Sequence, residues 1–407
     1  MKPDWIKHIH CSASIRELIH SAFQYLNLQP STFNLQFSTL LLFLTLNSML
    51  AFAQLDSIER WSLAVSPQGG FVIPHHKSIA HLIQGHSTGC HLYAKRLVNG
   101  TNYWHEAYNI PEHGLDFSFI NTGNQQQLGQ QYSLSYLLNL PLNGKRYVDD
   151  YLRISSRGYR HWIGLGLGMG YATKRWDLEE NHQAAVLGSQ GNVAISLQYS
   201  ARVIAFKSGE IRAGLRLSHL SNGAFQLPNL GTNNAGLFVS YVVGKYRSSY
   251  MKVIPEPSLE KYILSAGLVA GLKEIPPPTG RKYVATVLSL LGERRVSYKS
   301  AFGLGVDVLF DSSVKPLVEQ RTDVSIRERE ALQLGAIFSY SLFFDRFSLK
   351  IQQGYYLVDK QRLNGALYHR AGLRYEIGKN FYTQLTLKTH FAKADYGELG
   401  IGYVIRK

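Results

Sequence analysis

Apolar and polar positions alternate with a period of two along most of the chain from about residue 150 onward. Val193, Ile195, Leu197, Tyr199 and Ala201 share one parity, while Asn192, Ser196, Gln198, Ser200 and Arg202 share the other. The same alternation recurs at Leu237 to Val243, Phe302 to Phe310, Leu332 to Leu342, Ala371 to Ile377, Leu385 to Leu387 and Leu399 to Ile405. Successive side chains of a strand point to opposite faces, so each segment predicts a strand with one apolar and one polar face. No long pattern of period 3.6 follows residue 54, and the chain reads as all-β and antiparallel.

Two architectures fit such strands. A soluble sandwich turns the apolar faces inward, and a membrane barrel turns them outward against lipid. Three features favour the barrel. The segments are ~10 residues long, the length that crosses a bilayer at a tilt. Tyr and Phe cluster near segment ends, as an interfacial girdle requires. The polar faces carry charge, as at Arg370, Arg374 and Glu376. The expectation is an antiparallel transmembrane β-barrel of the outer membrane with roughly 12–14 strands, spanning residues 54–407 as one domain.

The run Gly164-Leu165-Gly166-Leu167-Gly168-Met169-Gly170 lacks the spacing of a nucleotide loop and has no helix after it. It reads as a strand with a crowded inner face. Pro255-Glu256-Pro257, Ile275-Pro276-Pro277-Pro278 and the charged stretch Asp311 to Glu330 read as loops between strands rather than as domain linkers.

The N-terminal part adds a destination. Phe37 to Phe52 is almost continuously apolar and ends in Ala51-Phe52-Ala53, which fits a secretory signal peptide cleaved before Gln54. Residues 1–53 therefore read as leader and signal, with a membrane anchor as the other reading. Of the two cysteines, Cys11 leaves with that leader and Cys90 remains alone, so no internal disulfide framework is expected. The formal charge is +15. It is scattered rather than gathered in one run, and it suits an anionic partner. For an exported chain that partner is a leaflet rich in phosphorylated lipid rather than nucleic acid.

Candidate chemistry lies at the end of one alternating segment. Ile211, Ala213, Leu215, Leu217, His219 and Ser221 share one parity. Residues i and i+2 of a strand lie on one face ~6.6 Å apart, so an imidazole at 219 can reach a hydroxyl at 221. That is the minimum geometry of a base-activated serine. In a barrel this parity faces lipid, a costly place for idle polar groups and a suitable one for attack on a lipid ester. The bland alternative is a strand end meeting an aqueous turn, since His-x-Ser is common and Ser-Asn-Gly is an ordinary turn sequence.

His219-Leu220-Ser221-Asn222 followed by Pro228-Asn229-Leu230-Gly231 resembles the lipid A 3-O-deacylase (PagL-type) family of outer-membrane barrels. Upstream, Tyr108-Asn109-Ile110-Pro111, Gly114-Leu115-Asp116-Phe117, Asn121-Thr122-Gly123-Asn124, Leu128-Gly129 and Gly191-Asn192 resemble the longer members called acyloxyacyl hydrolases. The resemblance covers roughly residues 103–246, and residues 259–407 share only barrel character. It implies Ser221 as nucleophile, His219 as general base, and Asn222 and Asn229 lining an oxyanion hole. It implies hydrolysis of an ester-linked acyl chain of lipid A, with lipopolysaccharide as substrate and with neither metal nor cofactor. The family's third member is a glutamate, and the position fourteen residues beyond His219 is Asn233. An amide carbonyl can hold an imidazole tautomer but cannot stabilise an imidazolium by charge. Three outcomes stay open: a slower enzyme, substitution by Asp177, Glu179, Glu180 or Glu210, or a non-catalytic barrel, pore or wall protein, that has lost the triad acid.

Other candidates are weaker. His75, His76, His81 and His86 cluster without nearby carboxylates and read as loop or interfacial histidines before they read as a metal site. Cys90 has His86 and His91 as neighbours in sequence and nothing further to suggest catalysis. Asn99-Gly100-Thr101 matches a glycosylation sequon of a kind that is frequent by chance. The oligomeric state is not encoded in any of these patterns.

Overall fold

A computed structural model describes residues 61–98, 100–143, 146–148, 151–155, 160–244, 248–391 and 393–406. The expected leader, its signal and Cys11 lie outside them, as does Asn99 of the sequon. The described chain is antiparallel strand almost throughout. In order the strands are β1 (Trp61–Val72), β2 (Ser87–Leu97), β3 (Glu112–Asn121), β4 (Gln130–Pro141), β5 (Arg146–Val148), β6 (Tyr151–Ser155), β7 (His161–Ala172), β8 (Gly191–Ala205), β9 (Gly209–Ser221) and β10 (Thr232–Val243). There follow β11 (Ser248–Lys252), β12 (Tyr262–Lys273), β13 (Tyr283–Arg295), β14 (Ser300–Asp311), β15 (Leu332–Phe344), β16 (Phe347–Val358), β17 (Leu367–Ile377), β18 (Phe381–His390) and β19 (Lys393–Arg406). Two short helices lie in loops, α1 (Tyr103–Ala107) and α2 (Val314–Thr322).

The strands close as two barrels of eight, not as the single barrel of twelve to fourteen that the alternation suggested. The first runs β1-β10-β9-β8-β7-β4-β3-β2, and β1 pairs with both β2 and β10 to seal it. The second is an eight-stranded meander sealed by β12 against β19. Between β4 and β7 the chain leaves the first barrel, and β5 and β6 form a separate three-stranded sheet with β11. Residues 253–261, including Pro255-Glu256-Pro257, connect the two barrels. That segment therefore does the work of a linker, while Pro276 to Pro278 and residues 312–331 are loops within the second barrel, the latter carrying α2. Both barrels belong to one compact unit.

Both barrels are inside-out relative to a soluble protein. Leu134, Met169, Ile195, Leu215, Leu237, Leu268, Leu304, Phe338, Ile351, Leu385 and Ile401 are all exposed on the outer walls. Among the described residues no helix is long and apolar enough to cross a membrane, so crossing falls to the strands. The interiors are filled by paired charges. In the first barrel the Arg212 guanidinium donates to both carboxylate oxygens of Glu112 at 2.9 Å, Lys95 joins Glu112 at 2.9 Å, and Arg216 meets Asp116 at 2.8 Å. In the second, Arg370 bridges Asp307 at 2.9 Å and Glu398 at 2.7 Å, and Lys350 donates to both oxygens of Glu293 at 2.7 Å. Such pairs hold only because each charge has a partner, since a buried ion left alone costs several kcal/mol. A cavity of about 30 Å³ beside Ser66, His91, Asp116 and Arg216 has room for one or two waters.

The glycine run falls on β7 as expected, and its inner face is crowded. A Cβ on Gly164 would collide with the Asn139 carboxamide oxygen, and one on Gly166 with the Ser196 hydroxyl.

The two ends of the second barrel differ. The second barrel is joined at one end by short turns, 296–299, 345–346 and 378–380, and at the other by the loops 274–282, 312–331 and 359–366. The barrels touch at both ends. At the short-turn end Tyr108, just after α1, stacks on Phe344 with centroids 4.6 Å apart. At the long-loop end the β12–β13 loop meets the β9–β10 loop of the first barrel, where Glu274 N–H donates to the Ala224 carbonyl at 3.0 Å.

Candidate active site

The β9–β10 hairpin places the catalytic candidates at this long-loop rim. Its register pairs His219 with Asn233 directly across the strands and Leu220 with Thr232. The spacing of fourteen residues therefore becomes a cross-strand contact on the outer face. His219 and Ser221 continue the column of Leu215 and Leu217, and across β8 they are paired with Ile195 and Val193, both exposed. Polar chemistry thus sits at the top of an apolar wall.

The expected contacts are made. Nε2 of His219 lies 2.9 Å from Ser221 Oγ, and Nδ1 lies 2.7 Å from Asn233 Oδ1. An amide oxygen can only accept, so Nδ1 carries the proton and Nε2 is left to accept from the serine. That is the tautomer a general base requires. Ser221 is 7% exposed, sheltered by the loop that follows it. Gly231 closes over the pair: a Cβ there would come within 2.7 Å of His219 Cε1 and 3.3 Å of Ser221 Cβ. Its φ of +75° is open to glycine and costly for other residues.

The two asparagines expected at an oxyanion hole are adjacent but not equivalent. Asn222 N–H donates to Asn229 Oδ1 at 2.9 Å. The Asn222 carboxamide donates to Ser189 Oγ at 2.8 Å and to the Gln226 carbonyl at 2.9 Å, so both of its hydrogens are committed to the loop. Asn229 Nδ2 is buried without a hydrogen-bond partner. A buried donor left unmade costs about 1–3 kcal/mol, and a waiting donor beside a nucleophile is what an oxyanion hole needs. Asn222 braces the loop, and Asn229 carries the free donor.

None of the four acids weighed as stand-ins contacts His219, whose two ring nitrogens are already engaged. Glu210 lies at the far end of β9 inside the barrel, bound to Arg212. Asp177 accepts the Glu179 and Glu180 N–H groups within its own loop at 3.0 and 3.2 Å.

Two contributors were not singled out for this site by sequence. His75, from the histidine cluster, lies 3.0 Å from Asn233 Nδ2. Its neighbour His76 instead accepts from Ser78 N–H at 3.2 Å, and among the described residues no group of three His, Cys, Asp or Glu is placed to hold a metal ion. Glu274 reaches in from the second barrel. Its carboxylate accepts from Leu227 N–H at 2.9 Å and Gly280 N–H at 2.5 Å, with Lys282 at 3.3 Å. Lys282 also donates to the Phe225 carbonyl at 2.5 Å. Beneath the loops, Val72, Ile79, Leu82, Leu128, Ala172, Val186 and Leu187 form an apolar cluster against which Leu230 packs.

The profile of the lipid A 3-O-deacylase (PagL) family matches residues 88–242, and that of the acyloxyacyl hydrolase C-terminal domain matches residues 261–407. The chain belongs to the lipid A 3-O-deacylase family. It is an outer-membrane esterase that acts on an ester-linked acyl chain of lipid A. The deacylase match covers the first barrel from β2 to β10, leaving β1 outside it, and the C-terminal match extends the family to the second, where sequence reading found barrel character alone. A search of curated proteins returns no match. Similar solved structures include the Salmonella typhi OmpF complex with daunomycin, at 7% identity over 85% of this chain and 96% of that one with a TM-score of 0.17. OccAB4 of Acinetobacter baumannii matches at 11% identity over 86% of this deacylase and 98% of its own length with a TM-score of 0.19. At those scores neither bears on the deacylase's architecture.

Proposed function

We propose that Ser221 is the nucleophile of this deacylase and His219 its general base, with Asn233 holding the base tautomer and Asn229 Nδ2 receiving the oxyanion. Ser221 Oγ attacks the ester carbonyl as its proton passes to His219 Nε2. Negative charge grows on the carbonyl oxygen, and the unpartnered Asn229 donor is the group assigned to receive it. Collapse expels the sugar alkoxide, which takes the proton from His219, and water then releases the fatty acid by the same steps in reverse roles. The observation that carries this reading is the continuous Ser221–His219–Asn233 hydrogen-bonded set on the outer wall, beside a buried free donor. The ester at the 3-O position, the bond in the family's description, is the substrate bond in this reading.

The orientation supports it. Outer-membrane barrels put short turns toward the periplasm and longer loops outside. The site lies at the end where the second barrel carries its long loops, which by this rule is level with the leaflet that holds lipid A, so the substrate enters laterally from lipid rather than through a lumen. Export by a signal peptide within residues 1–53 accords with this placement. Mass spectra of lipid A from cells carrying the protein test the mechanism. Ser221→Ala is expected to abolish acyl loss while the barrel still inserts, and equal acyl loss with the wild type overturns it.

A further inference from the structure

We infer that His75 is a positioning residue whose hydrogen bond fixes the amide of Asn233 so that its oxygen, not its nitrogen, faces His219. The inference rests on the Ser–His mechanism proposed above and deepens it. An asparagine in the third position raises a problem that a carboxylate does not. Its two ends differ: Oδ1 accepts and Nδ2 donates. Turned the other way, the amide donates to His219 Nδ1, the imidazole carries its proton on Nε2, and Ser221 loses its base.

The neighbours of Asn233 decide between the two settings. His75 Nε2 lies 3.0 Å from the Leu230 carbonyl oxygen, and Nδ1 lies 3.0 Å from Asn233 Nδ2. Nδ1 also lies 3.3 Å from the Ile73 carbonyl oxygen, a longer contact than the one Nε2 makes. Carbonyls only accept, and the shorter contact takes the proton, so His75 in its neutral form carries it on Nε2 and presents a lone pair on Nδ1. That lone pair accepts from the Asn233 amide, whose oxygen is thereby turned to His219 Nδ1 at 2.7 Å. The direction runs from Ser221 Oγ–H to His219, to Asn233, to His75 and into the Leu230 backbone. Reversing it would give up the 3.0 Å bond to the Leu230 oxygen, set the Nε2 lone pair against it, and leave only the longer 3.3 Å contact from Nδ1 to the Ile73 oxygen. Leu230 is itself held, since it packs on the apolar cluster beneath the loops and the next residue, Gly231, donates its N–H to the Val186 carbonyl at 2.9 Å.

The test is a double-mutant cycle on the purified full chain in detergent, with lipid A as substrate. His75→Ala is expected to lower kcat roughly 10- to 100-fold, part of the ~10⁴ that a wrong tautomer costs, with KM nearly unchanged. Asn233→Asp presents an oxygen either way round, so in that background the same His75→Ala change is expected to alter kcat by no more than about twofold, a strong departure from additivity. Equal fold losses in both backgrounds, or no loss in either, overturn the inference. Nitrogen-15 spectra of histidine-labelled protein give a second readout should Asn233→Asp be inactive. The wild type is expected to hold its His219 proton on Nδ1, and His75→Ala to shift population to Nε2; an unchanged tautomer overturns the inference. Ser221→Ala separates the two claims. If it retains activity the underlying mechanism fails, whereas a dead Ser221→Ala with a fully active His75→Ala removes the role of His75 alone.

Discussion

Gly231→Ala isolates the geometry of the dyad from its chemistry, because no reacting group is changed. Two costs follow from the structure. A φ of +75° at a residue with a Cβ costs about 1–2 kcal/mol of stability. The new Cβ would also stand 2.7 Å from His219 Cε1, where carbon–carbon contacts prefer about 3.5–4.0 Å. Relieving that overlap moves the imidazole by about 1 Å, which stretches its bonds of 2.7 and 2.9 Å beyond hydrogen-bonding range. A misplacement of that size costs on the order of 100-fold in rate. Fatty-acid release from lipid A at saturating substrate is the assay, with heat-modified gel mobility reporting that the barrels are folded. Gly365→Ala is the control: its φ is +81°, and its Cβ would meet nothing within 4 Å. It carries the same backbone strain in a loop of the second barrel, where its Cβ meets no atom of the dyad, so its kcat is expected to match the wild type. Wild-type kcat in Gly231→Ala, or equal losses in both variants, would refute the reasoning.

Other substitutions read different parts of the site. Asn229→Ala removes the free donor together with the acceptor of Asn222 N–H, and is expected to lower kcat about 10²–10³-fold with some loss of thermal stability, whereas Asn222→Ala acts through the loop alone and is expected to lower stability with a smaller loss of rate. Glu274→Ala leaves Leu227 N–H, Gly280 N–H and Lys282 without their acceptor, so it is expected to cost about 1–3 kcal/mol in denaturant titrations and to lower kcat although no atom of the first barrel is changed. Arg370→Ala strands Asp307 and Glu398 inside the second barrel and is expected to destabilise it by about 3–5 kcal/mol, read as a shifted urea midpoint for folding into vesicles.

The local face of the strands read beyond about residue 150 was legible because alternation is a property of consecutive residues. Val193 to Ala201 and Phe302 to Phe310 lie on the outer walls their parity predicted. Closure was not legible. Whether β10 turns back to β1 or runs on to β12 depends on pairs such as Leu63 with Val243 and Ile263 with Arg406, separated by well over a hundred residues. The two barrels share one outward chemistry, so nothing in the pattern marks the boundary except Pro255-Glu256-Pro257, a signal equally at home in a loop. At the site, the dyad and Asn233 were legible through spacing and resemblance, since a hairpin register converts fourteen residues into one contact. Asn222 and Asn229 looked alike in sequence and were separated only by hydrogen bonds that occupy one amide and leave the other free. His75 and Glu274 arrive from loops 158 and 47 residues away from their partners Asn233 and Leu227, and no local pattern links them.

The asparagine at position 233 fits its surroundings in a way that composition alone does not reveal. The position faces outward at the top of a lipid-contacting wall, where a carboxylate must either keep water or lose much of its hydration. Inside the same barrel the buried carboxylates Glu112 and Asp116 each have an arginine beside them. On the outer face the charge would lack one, because the nearest partners to position 233 are two histidines. An amide avoids that desolvation and still accepts the His219 proton's hydrogen bond. What it gives up is the charge that steadies an imidazolium at the transition state, and with it the guarantee that an oxygen faces the ring. The second loss is the one the loops can repair, through the sequence of donors that ends at the Leu230 carbonyl. The first they cannot, so a carboxylate introduced at 233 would trade a dearer folded state for a better-stabilised imidazolium. The balance between those two terms sets the sign of its effect on kcat, and stability and rate measured together on Asn233→Glu would report them separately.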